Sequence, residues 1–343
     1  MRRVAAPLAA VLAAFAIGAC GGDGAEPGAP EGATLVLDFT PNAVHTGLFA
    51  AQRRGYFETA GLDLEIREPS SSADGAKLLQ AGRAEFAILD INDLGIGLQR
   101  GADLVAVAAI VQRPLASVIA ADRREVERPR DLVGGTVGVT GLPSDEAVLD
   151  TVLRADGVDP DQVERTTVGF NSVAALASGR VDAATAFWSA EGVQLREMGQ
   201  PVNEFRVDEF GAGRFPELVV VTTRELLDRD PRTACSLWRG LGRGYAILES
   251  DPAGALEDLL AENDALLRRS QTVQFDALLA GSAFSTLGPG GAVTPDLKTL
   301  GVLSWIEWAS GHGMIDESAE EIERVESSFE TRLERDCPSR GLD

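Results

Sequence analysis

The chain has 343 residues, 45% of them hydrophobic, enough for two domains or one large one with real cores. Its 31 Lys and Arg stand against 53 Asp and Glu, a net charge of −22. That balance excludes nucleic acid as a partner, because phosphate binding needs a basic surface, and it suits a secreted, soluble, monomeric protein.

The N-terminus reads as a targeting segment. Arg2 and Arg3 precede an apolar run over residues 7–17, and small residues lead to Cys20. This is the pattern of a secretory signal spanning residues 1–19. The Ile17-Gly18-Ala19-Cys20 ending resembles a bacterial lipobox. Cys20 would then be the first mature residue and carry the lipid that holds the protein at the membrane. Residues 20–32, rich in Gly, Pro and Ala, read as a flexible tether. No other apolar stretch reaches the ~20 residues of a membrane span.

Folded structure begins with the apolar run 35–37, a buried strand that breaks at Asp38-Phe39-Thr40-Pro41. Asn42 stands where an N-cap belongs, and Val44, Leu48 and Ala51 follow at helical spacing until Gly55. In open α/β sheets, ligands sit at such carboxyl ends of strands. Asp38, Phe39, Asn42, His45 and Thr46 therefore form the first candidate cluster. Residues 62–66 alternate as a strand with one wet face, and 73–81 read as a helix. Strand 86–89 stops at Asp90 and Asn92, a helix leads to Gly101, and 104–111 form another strand. This β-α-β order implies a mainly parallel sheet covered by helices.

A second α/β unit follows. Its strands are expected at 115–120, 136–139, 165–168 and 183–187, and its helices at 145–155, capped by Ser144, and 172–178. Gly141-Leu142-Pro143-Ser144-Asp145 offers a helix N-terminus to an acceptor atom, beside the simpler role of capping. Strand 218–222 reads as the return to the first unit. The remainder is helical: Pro231 and Pro252 suit first-turn positions, and 296–311 form a further helix. Ser318-x-x-Glu321 reads as a capping box opening a last helix that reaches Cys337. The expected boundaries are 33–114 and 216–343 for a split first domain and 115–215 for the second.

The motifs carry a family resemblance, running from about residue 34 to 198. Asp38-Phe39-x-Pro41-Asn42, His45-Thr46-Gly47, Gly55-Tyr56-Phe57 and Gly61-Leu62-Asp63 resemble the opening of the SsuA/THI5-like substrate-binding proteins of ABC importers. The likeness is strongest to the branch that binds pyrimidine precursors of thiamine. That branch often has Trp where this chain has Phe39, so a stacking face is kept. Phe187-Trp188-Ser189-Ala190-Glu191-Gly192 resembles the family's aromatic-Trp-x-x-Glu-Gly motif. The resemblance implies a type II periplasmic-binding-protein fold, two α/β lobes joined by a hinge, and delivery of the ligand to a permease.

Each candidate residue has two readings. His45 is either a satisfied helix residue or a donor to a heteroaromatic ring. Phe39 is core or a cleft face. Trp188 stacks on the ligand from the second lobe, opposite Phe39, or simply packs. Glu191 compensates a helix dipole or accepts from an exocyclic amine. Asp38, Asn42, His45, Asp90 and Glu191 would read the ligand's nitrogen pattern. Cys235 and Cys337, outside the cytoplasm, are expected to form a disulfide rather than a metal pair, since the only histidines are His45 and His312.

No Gly-x-Ser-x-Gly, Walker A or His-Glu-x-x-His signature occurs, and no cofactor or metal is called for. The expected ligand is a hydroxymethyl- or formylaminomethyl-pyrimidine, with riboflavin or another flat heterocycle next and a sulfonate after that. The rival is an enzyme: fungal thiamine-pyrimidine synthases share this fold and consume their own active-site histidine with iron. Their cysteine-rich iron-handling loop has no counterpart here.

Overall fold

The computed structural model describes residues 30–71, 74–121, 125–169, 171–284 and 301–329, with Leu333 and Cys337. The signal segment, Cys20 and the tether up to residue 29 lie outside the described residues. No described helix is long and apolar enough to cross a membrane.

The strands form two five-stranded mixed sheets of the same plan. The first contains β1 (Glu31–Val36), β2 (Leu62–Arg67), β3 (Phe86–Asp90), β4 (Leu104–Val111) and β10 (Leu218–Thr223), in the order β2-β1-β3-β10-β4. The second contains β5 (Ala116–Ala121), β6 (Thr136–Val139), β7 (Glu164–Thr167), β8 (Ala183–Phe187) and β9 (Val202–Arg206), in the order β7-β6-β8-β5-β9. In each, one strand arrives from the other half of the molecule and runs antiparallel to both neighbours: β10 between β3 and β4, β5 between β8 and β9. Two segments, 112–115 and 207–217, therefore carry the chain between the sheets.

Sequence explains the burial. β2 alternates buried and exposed residues at its sheet edge, whereas all eight residues of β4 are buried. β4 is also last in its sheet, and its outer edge is covered. Ala106 donates its N–H to Ser328 O at 2.8 Å and forms a bridge with Phe329, leaving no apolar strand edge open to water there.

Several expectations need correction. β1 begins at Glu31, so the last two residues assigned to the tether are strand: they pair in parallel with Leu62 and Asp63 of β2. β9 carried no apolar run to announce it; pairing with β5 supplies its order. Ser144 is not the N-cap of α5 (Pro143–Ala155). Leu142 holds that position and Pro143 is the first helical residue. The Ser318 capping box does not form at α13 (Ala319–Glu326), because Glu321 is taken by Gln99 and Arg324. That helix ends at Glu326, well before Cys337.

Helices α9 (Pro231–Ser250) and α10 (Pro252–Glu262) both start on a proline after an aspartate cap, Asp230 and Asp251. α9 lies close against α1 (Thr46–Arg53): a side chain at Gly47 would run into the Tyr245 ring, and one at Gly244 into the Gly47 carbonyl. The glycine of His45-Thr46-Gly47 is thus a close-approach site. Cys235 on α9 is bonded to Cys337, with Cα atoms 5.3 Å apart. A further helix, α11 (Arg268–Ala280), precedes α12 (Val302–Gly311). Trp305 and Trp308 of α12 are core residues. Trp308 stacks on Phe215 at 5.3 Å between centroids and donates Nε1–H to Thr151 of α5 at 2.8 Å, joining first-half and second-half elements.

Candidate functional site

A cavity lies where the carboxyl ends of β1 and β3 face those of β6 and β8. Four of its loops carry the candidate residues, two from each sheet, and Gly169 and Ser172, after β7, add to the lining.

The first loop follows β1. Asn42 Oδ1 accepts the Val44 N–H at 3.0 Å, capping a short 3-10 turn, Ala43–His45. His45 Nδ1 accepts the Asn42 N–H at 3.2 Å, so the ring proton sits on Nε2, which donates to Asp38 Oδ1 at 2.8 Å. His45 is completely buried, with both nitrogens engaged, and does not line the cavity. Thr46 is also buried and donates to Ala43 O at 2.8 Å. The expected ligand contacts through His45 and Thr46 are therefore replaced by supporting roles. Asp38, Phe39 and Asn42 do line the cavity.

The second loop follows β3. Asp90 caps α4 (Ile91–Gln99) by accepting the Asn92 N–H at 2.7 Å, and lines the cavity. Asn92 does not: its Oδ1 accepts from Trp305 Nε1 at 2.8 Å, deep under α12. Its neighbour Asp93, unmarked in the sequence, enters the cavity instead. Burial first, then the charges of Asp90 and Asp145, push the Asp93 carboxyl up to about 8.

The third loop follows β6. Ser144 and Asp145, in the first turn of α5, line the cavity, whereas Pro143 is exposed outside it. Asp145 accepts the Thr140 N–H at 2.6 Å and the Thr140 hydroxyl. Burial still raises its carboxyl above the ordinary range, outweighing those hydrogen bonds.

The fourth loop follows β8 and overturns the expected ring sandwich. Trp188 is fully buried and faces away from the cavity. Its Nε1 donates to Pro114 O at 3.1 Å, its backbone N–H to Leu115 O at 3.1 Å, and the Arg206 guanidinium lies 4.1 Å from its ring centroid. Phe187, the last residue of β8, lines the cavity, and Trp188, the first residue of the following turn, does not. Ser189 and Glu191 follow Phe187 into the lining, and the buried Ser189 hydroxyl has no partner. Glu191 Oε2 accepts the Phe187 N–H at 3.0 Å, and burial raises its carboxyl above the usual range.

The result is a pocket with two aromatic rings, Phe39 and Phe187, one from each sheet. It carries the carboxyl groups of Asp38, Asp90, Asp93, Asp145 and Glu191, and no Lys or Arg is among its described lining residues. Such a site favours a flat molecule rich in hydrogen-bond donors and disfavours an anion. Arg113, in the first crossing, is tied to Asp208 of the second at 2.6 Å and to Gly281 O at 3.0 Å, and does not line the cavity.

Two mixed sheets joined by two crossings, with a cavity between their strand ends, define the periplasmic-binding-protein fold. The periplasmic aliphatic sulphonate binding protein SsuA of Escherichia coli superposes with a TM-score of 0.68, covering 89% of this chain and 99% of that one, at 13% identity. The chain belongs to the NMT1/THI5-like family, whose model matches residues 42–255. A formylaminopyrimidine-binding protein of Halalkalibacterium halodurans is 32% identical over 235 residues, 68% of this chain and 71% of that one. The 4-amino-5-hydroxymethyl-2-methylpyrimidine phosphate synthase THI5 of Saccharomyces cerevisiae is 22% identical over 238 residues, 66% of this chain and 70% of that one.

Proposed function

We propose that the protein is the extracytoplasmic solute-binding lipoprotein of an ABC importer, anchored through Cys20, which captures a thiamine-related aminopyrimidine and hands it to the permease. The observation that carries this reading is the pocket's chemistry: two aromatic faces, five carboxyl groups and no cationic side chain among the described lining residues. Residues 31–114 with the chain from 216 on act as one lobe and 115–215 as the other, closing about segments 112–115 and 207–217. Phe39 and Phe187 hold the ring. An aminopyrimidine edge presents N–H donors beside a ring nitrogen, and the carboxyl groups of Asp38, Asp90, Asp93, Asp145 and Glu191 can take those donors. Asn42, Ser144 and Ser189 supply neutral partners. The formylaminopyrimidine-binding relative supports the ligand class. A sulfonate, which would need cations, fits poorly.

The yeast synthase's likeness raises an enzymatic reading. His45 argues against it, since the ring is buried behind Asp38 with both nitrogens bonded. Mass spectrometry of protein purified under native conditions is the test. A formylaminomethyl- or hydroxymethyl-pyrimidine should be released on denaturation; a sulfonate or a flavin in its place would refute the ligand assignment.

A further inference from the structure

Glu217 carries no sequence signal and lines no wall, yet it is completely buried directly behind the cavity. It closes the second crossing, one residue before β10. Its Oε2 accepts the Leu115 N–H of the first crossing at 2.8 Å. Its backbone N–H donates to Val111 O at 3.0 Å, and its carbonyl accepts from Ile91 at 2.9 Å. The Ala116 N–H also faces this carboxyl, and the other oxygen, Oε1, is shut off from water without a hydrogen bond of its own. The side chain of Asp90, whose Oδ1 already accepts from Asn92, interacts with this carboxyl group.

Two ionised carboxylates cannot rest in such a contact; one proton between them satisfies Oε1 and removes the repulsion. Burial, and then the charge of Glu217, hold the Asp90 carboxyl well above its ordinary range, while burial brings Glu217 up to about 7. The charged groups around the pair are Asp93 of α4, Asp145 of α5, and Asp208 of the second crossing, which Arg113 of the first crossing partly offsets. Their balance is negative and favours keeping the proton.

We propose that Glu217 is a positioning residue of the binding site: from behind Asp90 it retains a proton between the two carboxyl groups, and the site takes its ligand only while that proton is in place. The aminopyrimidine reading supplies the probe. The reason is general. Enclosing a ligand strips the remaining water from Asp90, and a second negative charge in contact with the first would then be buried unpaired. Affinity is thereby linked to the proton. It is level below the pH at which the pair ionises and falls toward tenfold per pH unit above it. In Glu217→Gln the amide oxygen still accepts from Leu115, and the amide N–H₂ can donate to an ionised Asp90, so this part of the fall disappears.

The test is calorimetric titration of the mature protein and of Glu217→Gln with 4-amino-5-hydroxymethyl-2-methylpyrimidine in steps of about one pH unit, from roughly pH 6.5 to the alkaline limit at which both proteins stay folded. Ionisation of the ligand, and of Asp145 and Glu191, is common to both proteins and cancels in the ratio of their dissociation constants; Asp93, which feels the Asp90 charge, is held constant by repeating the pair of titrations with Asp93→Asn in both proteins. That ratio, wild type over variant, should stay level until the pair loses its last proton and then rise toward tenfold per pH unit. A constant ratio, the signature of a merely structural glutamate, overturns the proposal. Asp90→Asn keeps the helix cap and removes the other half of the pair, so it should level the same step and serves if Glu217→Gln does not fold. Wild-type protein that binds no aminopyrimidine at any pH refutes the proposed function instead. Carboxyl ¹³C titration of the ligand-free protein then judges the shared proton by itself: separate, ordinary titrations of Asp90 and Glu217 overturn it.

Discussion

The loop after β1 and the loop after β8 solve one problem with opposite side chains. In the first, Phe39 faces the cavity, and His45, the residue with the richer chemistry, is buried behind it. In the second, Phe187 faces the cavity, and Trp188, the larger ring, is buried behind it. Each loop places a modest aromatic at the surface of the site and fixes it with a neighbour whose polar atoms are all spent on the protein. His45 orients Asp38; Trp188 ties the β8 loop to the first crossing. The side chain that stands out in a motif can be the support rather than the contact.

Separating support from contact gives the largest expected effect. Trp188→Ala removes a fully buried Trp and should cost ~3–5 kcal/mol of stability, read as an earlier thermal or denaturant transition without ligand. Phe187→Ala should move the ligand-free transition less, because its ring is only partly buried against the core. It loses one ring face, worth ~0.5–1.5 kcal/mol of stacking and about 1.5–3 of apolar burial, so affinity should fall roughly 30- to 2,000-fold. If Trp188→Ala folds normally and abolishes binding while Phe187→Ala binds normally, the comparison is reversed and Trp188 is the contact.

His45→Ala should have a smaller effect on binding. It frees Asp38 from its 2.8 Å partner and leaves the Asn42 N–H unmet, costing about 1–3 kcal/mol, or roughly 5- to 150-fold in affinity if Asp38 holds the ligand. Unchanged affinity in the folded variant would show that Asp38 needs no orientation.

Much of this was legible in the sequence. Two runs of alternating strand and helix, with a return strand at 218, were enough to outline both sheets, because buried parallel strands are continuous apolar runs. β9 was missed because its order comes from pairing along β5, which no local pattern records. In the site, Asp38, Asn42, Asp90, Asp145 and Glu191 could be picked out because they sit at strand ends. Phe187 was not distinguishable from Trp188: it ends β8, where Thr185, Ala186 and Phe187 all line the cavity, so alternation along the strand does not decide between the two rings. Asp93 and Glu217 were not legible. Their character comes from burial beside other carboxyl groups brought together by the fold, and nothing in their local sequence distinguishes them from the other acidic residues.

That burial has its own pH signature. The Asp93 and Glu217 carboxyls, raised to about 8 and about 7, keep protons in the folded state that an unfolded chain releases above about pH 4. Between those limits the folded state binds more protons, so stability falls as pH rises. The ligand-free protein should melt several degrees later near pH 5 than near pH 8, and Asp93→Asn should flatten the slope. A melting point that climbs over this interval would contradict the assigned protonation.

The central claim is that an acidic, cation-poor pocket with one phenylalanine from each sheet selects a neutral or cationic flat ring over an anion. Calorimetric titration of the purified mature protein with formylaminopyrimidine and, separately, with an alkanesulfonate tests it most directly. The account predicts saturable one-to-one binding of the pyrimidine and no heat of binding with the sulfonate. Saturable sulfonate binding with no response to the pyrimidine would contradict it.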